Sequence, residues 1–263
     1  MKYLNDSWKT TLDAMGLKSF DDWWTAEGER AEKANTVPGK PDTWSHVTIL
    51  KTPEGKSLFL KRQQDFHPNN IIQKWQKQLT FTREYESYQK IKSANVPTYD
   101  LICYDTRKHD GHHHAIYVAE GLDDYISLYD LINEWNTQGW PDRQTRRKFL
   151  QPLVQTTRHM HQHGILHNAL NPRHIYVNVP LDSPYDIPES PSFKLIDFEG
   201  VKAISPGSDK AITRDLFSLH RRSKLWPNND RIWFLKKYLN IEKLDPKAKS
   251  LIRKITNKVN KLK

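Results

Sequence analysis

Three residue types in this chain could do chemistry together: a lysine at a strand end, a carboxylate on the next helix, and an aspartate at a later strand end. The first is Lys61, closing "LFLK", where alternation puts Leu58 and Leu60 on one face and Phe59 and Lys61 on the other. The second is Glu84, in "LTFTREYESYQKIKSA", whose apolar residues Phe81, Tyr85, Tyr88 and Ile91 recur with a helical rhythm. Glu86, two positions on, would face elsewhere on that helix. The third is Asp197 in "FKLIDFEG", where a carboxylate ends an apolar run and Gly200 permits a tight turn. A cation for phosphate charge, an acid to hold that cation, and an oxygen ligand for Mg²⁺ are what phosphoryl transfer asks of a protein.

The elements that must carry these groups can be read along the chain. "SFDDWWTAEGERAEKAN" predicts a helix near the start, with Ser19 and Asp21 as capping oxygens. "WSHVTIL" and "SLFLKR" read as strands joined by a turn at Pro53, Glu54 and Gly55. Two more strands, "YDLICYDT" and "HAIYVAEG", flank an Asp110-Gly111 turn. Helical patterns follow in "SLYDLINEW" and "RRKFLQPLVQTTRHMHQHG", the second stopping at Gly164. Two short strands, "HIYVNV" and "SFKLIDF", bracket a Pro- and Ser-rich loop, and helices resume with "ITRDLFSLHRR" and "RIWFLKKYL". The expected fold class is α+β with two lobes, a small β-rich one with one main helix and a larger, mostly helical one. Residues 1–34 are expected as a helical extension, 35–120 as the small lobe and 121–263 as the large lobe.

Composition bounds the rest. The chain has 263 residues, a mean hydropathy of −0.81 and one cysteine, Cys103, so an internal disulfide is excluded and a reducing compartment is expected. MKYLNDSWKT has no apolar run, which points away from a signal peptide and toward the cytoplasm. The net charge is +10, and residues 243–263 carry eight Lys or Arg against Asp245 alone. In that tail Leu251, Ile255, Val259 and Leu262 form a helical stripe, suited either to packing on the large lobe or to an anionic membrane surface. No nucleic-acid module accompanies the charge, so nucleic acid ranks last as a partner. "HDGHHH" (His109, His112, His113, His114) reads as an exposed turn, without the ligand set of a metal site. His159, His161 and His163, spaced by two on a helix, do not converge and receive no ligand role.

Several stretches resemble the lipopolysaccharide kinase InaA family, the kinase-like group that includes the Kdo and WaaP sugar kinases. They are "SFDDWW", "SLFLKRQ", "TREYESYQKIKSANVPTYDL", "HGILHNALNPRHIYVN" and "LIDFEGVKA", with Asp215 of "TRDLFSL" in the same order. The resemblance spans nearly the whole chain. It implies a bilobal protein-kinase-like fold and ATP- and Mg²⁺-dependent phosphorylation of a heptose or Kdo in the lipopolysaccharide inner core. The place implied is the cytoplasmic face of the inner membrane, with peripheral attachment through residues 247–263. Lys61 would then contact nucleotide phosphates, held by Glu84, and Asp197 would bind the metal with help from His174. His167 would orient the catalytic loop, and Asn171 would stand where kinases place a lysine near the γ-phosphate. Glu120 and Leu122 would meet adenine through their backbone, under Val47.

Three positions depart from that pattern. Ala169 stands where working kinase loops carry the Asp that accepts the acceptor's proton, and a methyl group cannot. His174 stands where protein kinases place an Asn metal ligand, although His here also fits the lipopolysaccharide kinase pattern; imidazole suits Mg²⁺ less well than oxygen, so hydrogen bonding to a phosphate or to Asp197 is the alternative role. The stretch before "WSHVTIL" holds only Gly39, a thin cover for phosphates. A pseudokinase, binding nucleotide or protein as a scaffold in envelope or lipopolysaccharide biosynthesis, is therefore the competing expectation.

Overall fold

A computed structural model describes residues 1–67, 78–180, 183, 185–206 and 208–260. The chain divides into two compact units, one of residues 1–87 and 99–123, the other of residues 88–98 and 124–263.

The first unit is built on an antiparallel sheet. Its strands are β1 (Tyr3–Leu4), β2 (Glu29–Arg30), β3 (Asn35–Val37), β4 (Lys40–Lys51), β5 (Ser57–Gln64), β6 (Leu101–His109) and β7 (His112–Glu120). They lie in the order β1-β6-β7-β5-β4-β2, with β3 also paired to β4. The alternation read in "SLFLKR" is realised: Leu58 and Leu60 are fully buried while Phe59 and Lys61 are only partly so. Leu58 and Leu60 belong to a cluster with Ile102, Cys103, Ile116 and Val118. The N-terminal segment completes that cluster with Trp8, Leu12, Phe20 and Trp23, from around helices α1 (Lys9–Ala14) and α2 (Phe20–Thr25). Burial pushes the Cys103 thiol well above its ordinary pKa, so it behaves as a small apolar side chain.

The expected N-terminal helix is much shorter than the sequence pattern suggested. Ser19 caps it in a reciprocal box with Asp22, as an N-terminal serine should. Asp21 is not the cap; it pairs with Arg107 instead. The helix ends at Thr25 because the chain must come flat against β4, where Glu29 sits opposite Ile49. Gly28 makes this approach: a Cβ there would lie 2.4 Å from the Ile49 carbonyl oxygen. At the other end of the sheet, Asp110 and Gly111 take φ of 49° and 83°, the left-handed pair of a tight hairpin turn.

Helix α3 (Thr80–Ser93) begins in the first unit. The second unit holds α4 (Leu128–Gln138), α5 (Arg143–Gln162), α6 (Asp209–Arg222), α7 (Asn228–Leu239) and α8 (Pro246–Asn260). Two small ladders thread between them. β8 (Ile126–Ser127), β10 (Ile175–Val177) and β11 (Phe193–Leu195) form one; β9 (Ile165–Leu166) and β12 (Lys202–Ala203) form the other. A cavity of about 410 Å³ lies among α5, α6, α7 and α8, with Leu153, Leu216, Leu235 and Ile255 in its wall. The basic tail is therefore a docked helix: Ala248 and Ile255 are buried, while Lys249, Arg253 and Lys254 face solvent. The Val259 side chain and Leu262, which the apolar stripe included, lie outside the described residues. No helix among the described residues is long and apolar enough to cross a membrane.

Candidate functional site

In the first unit, β5 places Lys61 opposite Val47 of β4 and Tyr117 of β7. The Lys61 ammonium donates to Glu84 Oε1 at 2.5 Å and lies 5.2 Å from the centre of the Tyr117 ring. Glu84 is 3 % exposed and Lys61 25 %. A buried carboxylate thus holds a reachable cation, the arrangement a phosphate-binding lysine needs. Glu86 faces the other way, where the Gln78 amide donates to it at 3.1 Å.

The end of β7 is pinned in turn. The Glu120 N–H donates to the Asp100 carbonyl at 2.9 Å, and the Gly121 N–H to Ser57 O at 2.7 Å. Asp123 accepts from both the Ser57 N–H, at 2.7 Å, and its hydroxyl, at 2.5 Å. Burial works against ionisation of Asp123, but the Ser57 hydrogen bonds and nearby Lys51 and Lys56 outweigh it and lower its pKa. The half-buried Leu122 follows directly on this pinned strand end. The sequence reading passed over Asp123; an Asp in a polar turn gives no sign that it grips a serine 66 positions earlier.

In the second unit, two loops are brought together by the two small ladders. Pairing of β9 with β12 (Leu166 with Lys202) and of β10 with β11 (Ile175 with Leu195) sets residues 167–174 beside residues 196–200. His167 is fully buried, and its Nε2–H donates to the Ile196 carbonyl at 3.1 Å. Burial holds its pKa below the ordinary range, against the pull of Asp215 and Asp197, so the ring is a neutral strut between the loops.

Asp215, on α6, is the hub beneath. Its carboxylate, with no exposed surface, accepts the His167 N–H at 2.8 Å, the Asn168 N–H at 2.7 Å and His161 Nε2–H at 3.0 Å. His161 Nδ1 meets the Tyr238 hydroxyl at 2.8 Å, and burial pushes that phenol far up. His161 received no ligand role from the sequence, and here it sits inside a buried hydrogen-bond network.

Around Ala169 the side chains of Asn171 and His174 fold inward. Asn171 Nδ2 and His174 Nδ1 each lie 2.9 Å from the Ala169 carbonyl oxygen, and Asn171 Oδ1 accepts the Arg173 N–H at 3.0 Å. Asn171 thus closes the loop on itself. His174 Nδ1 is also 3.1 Å from Asp197 Oδ2. Asp197 is 41 % exposed, and its φ of 67° is one an Asp tolerates better than most residues. Asn168 has a similar φ of 66°. One reachable carboxylate fits a hard cation that keeps most of its shell as water and phosphate oxygen. No group of three or more His, Cys, Asp or Glu that could hold a metal occurs among the described residues. Only Asp110 and Gly111 of "HDGHHH" form the turn; His112, His113 and His114 open β7, where His114 is buried rather than exposed, with His112 Nδ1 2.6 Å from Asp65 and His114 Nε2 2.9 Å from Gln64.

The fold has relatives among solved structures. The structure described as "WaaP in complex with acyl carrier protein" superposes with a TM-score of 0.70 and 16 % identity, over 99 % of this chain and 98 % of that one. The BubR1 kinase domain gives 0.40 and 15 %, covering 85 % and 62 %; WbdD gives 0.45 and 15 %, covering 88 % and 46 %. Among curated proteins no sequence matches. The likeness to WaaP makes the fold kinase-like, of α+β class. The family model described as "Lipopolysaccharide kinase (Kdo/WaaP) family" matches residues 21–238. With that span beneath the ordered set Lys61, Glu84, His167, Asp197 and Asp215, the chain belongs to the lipopolysaccharide kinase (Kdo/WaaP) family.

Proposed function

We propose that this protein is a phosphotransferase that moves the γ-phosphoryl group of ATP to a heptose or Kdo hydroxyl of the lipopolysaccharide inner core. Membership of a lipopolysaccharide kinase family supports the coarse reading, a kinase of lipopolysaccharide core biosynthesis that uses ATP. The observation that carries it is the Lys61–Glu84 pair, a reachable cation on a buried carboxylate at 2.5 Å. Lys61 neutralises phosphate charge, the Glu120–Leu122 strand end and Val47 receive the adenine, and Asp197 holds Mg²⁺. A Mg²⁺ ion held by Asp197 would offset the phosphate charge that develops in transfer. His167 and Asp215 hold the loop that presents the acceptor. Residues 247–263 add attraction to anionic headgroups at the cytoplasmic side of the inner membrane.

Ala169 cannot take a proton, and a positioned base contributes about 10²–10⁴-fold. The transfer is largely dissociative, so early deprotonation matters little and a slow enzyme remains consistent with this loop. The same alanine supports the second reading, a nucleotide-binding pseudokinase. Mg²⁺-ATP should raise the melting temperature of the wild type, and Lys61→Ala and Asp197→Ala should each abolish the rise. A wild type that does not respond at saturating nucleotide refutes both readings. Core-oligosaccharide mass from cells with and without the protein then separates them: an added phosphate supports the enzyme, and identical masses with no turnover on isolated core leave the pseudokinase.

A further inference from the structure

Protein kinases hold two Mg²⁺ ions, one set of ligands being a strand-end Asp and the other an Asn of the catalytic loop. In this chain the loop position is His174, and the direction of its hydrogen bonds can be worked out. The Ala169 carbonyl oxygen can only accept, and it lies 2.9 Å from His174 Nδ1. Nδ1 therefore carries a proton, in the neutral and the charged ring alike. The same nitrogen lies 3.1 Å from Asp197 Oδ2, an ion-pair distance without hydrogen-bond geometry. Asn171 Nδ2, 3.2 Å from that nitrogen, is a donor as well, so its bond is the one to the Ala169 carbonyl. The ring nitrogen nearest Asp197 is thus a donor committed to the Ala169 carbonyl, and it offers no lone pair to a cation.

On the phosphotransferase reading, which this inference presupposes, we propose that the metal centre is mononuclear. A single divalent cation sits on the Asp197 carboxylate, and the His174 N–H stands where protein kinases hold the second ion. His174 is then a positioning residue. Its N–H dipole, 3.1 Å from Asp197 Oδ2, steadies that carboxylate from outside the coordination shell. Asn171 supports it by fixing the Ala169 carbonyl, the acceptor of that N–H. The 41 % exposure of Asp197 leaves its second oxygen accessible for the cation.

Mn²⁺ is the probe, titrated into the full chain with a non-hydrolysable ATP analogue and followed by electron paramagnetic resonance. The expected result is one bound Mn²⁺ per chain, with no directly bonded nitrogen in the spin-echo modulation. His174→Ala should weaken Mn²⁺ binding about 10–100-fold at unchanged stoichiometry, the usual cost of losing such a partner. Two bound ions, or a bonded-nitrogen signal that disappears in His174→Ala, overturns the assignment while leaving nucleotide binding intact. Unchanged Mn²⁺ affinity in a folded His174→Ala overturns it too. Stoichiometry and the nitrogen signal are read on the wild type, so the test stands even if that variant does not fold. Absence of both nucleotide and Mn²⁺ binding defeats the phosphotransferase reading and this assignment together.

Discussion

Lys61 and Glu84 are unequal partners, because the carboxylate is 3 % exposed and the ammonium 25 %. Removing the lysine strands a charge that has almost no water, whereas removing both charges strands nothing. Lys61→Met should therefore cost about 3–5 kcal/mol in urea unfolding, and adding Glu84→Gln should recover a large part of it. Strictly additive losses would show that the two side chains do not depend on one another. This pair was legible in the sequence, since strand alternation set the face of Lys61 and helical rhythm ranked Glu84 above Glu86. The loop residues His167, Asn171, His174 and Asp197 were legible as a group from their order. What they bond to was not. Asn171 and His174 both turn to a backbone carbonyl, and side-chain-to-backbone bonds of this kind leave no trace in residue spacing.

At the scale of elements, Asp65 links the end of β5 to the β6–β7 hairpin by accepting from His112 Nδ1 at 2.6 Å and the His113 N–H at 2.8 Å. The Asp65 hydrogen bond raises the pKa of His112 above its ordinary 6.5, against a smaller opposing effect of burial. Burial opposes ionisation of Asp65, yet the bonds from His112 and His113 outweigh it and bring its pKa below 3.8. The two signs differ. The histidine's contribution is complete below its unfolded pKa and fades as pH rises through the raised folded value. The aspartate's is complete above its unfolded pKa and fades as pH falls through the lowered one. Wild type should thus exceed Asp65→Asn in melting temperature most at about pH 5–6, with the gap narrowing toward pH 8 and toward pH 3. A gap independent of pH would remove the ion pair from the account. The variant is a fair reference, because Asn tolerates the φ of 48° that Asp65 adopts. Element placement was otherwise well signalled where a run exceeded about five residues, the length at which a period shows. Two-residue strands such as β1, β2 and β12 have no period to read, and the cut at Thr25 depended on Gly28 meeting Ile49 of β4.

Across the whole molecule, the basic tail packs as the first of its two expected uses requires: α8 docks by Ala248 and Ile255 and turns Lys249, Arg253 and Lys254 outward. Ile255→Ala should lower stability by about 2–5 kcal/mol, since it enlarges the cavity its side chain borders. Replacing the three outward cations by Ser should leave the melting temperature nearly unchanged and weaken salt-sensitive binding to phosphatidylglycerol vesicles. Equal vesicle binding by that triple variant would remove the membrane role of the tail. The Asp215 hub has a further consequence. His161 and Tyr238 lie 77 positions apart, and His161 and Asp215 54, so the network that joins them exists only once the second unit is assembled. Irregular loops usually exchange their amide protons with solvent within the easiest local openings. The His167 and Asn168 amides are instead closed by a carboxylate with no exposed surface. They should exchange deuterium as slowly as a central strand, opening only when the whole unit does. The loop of residues 167–174 is thus as slow to open as the core around it.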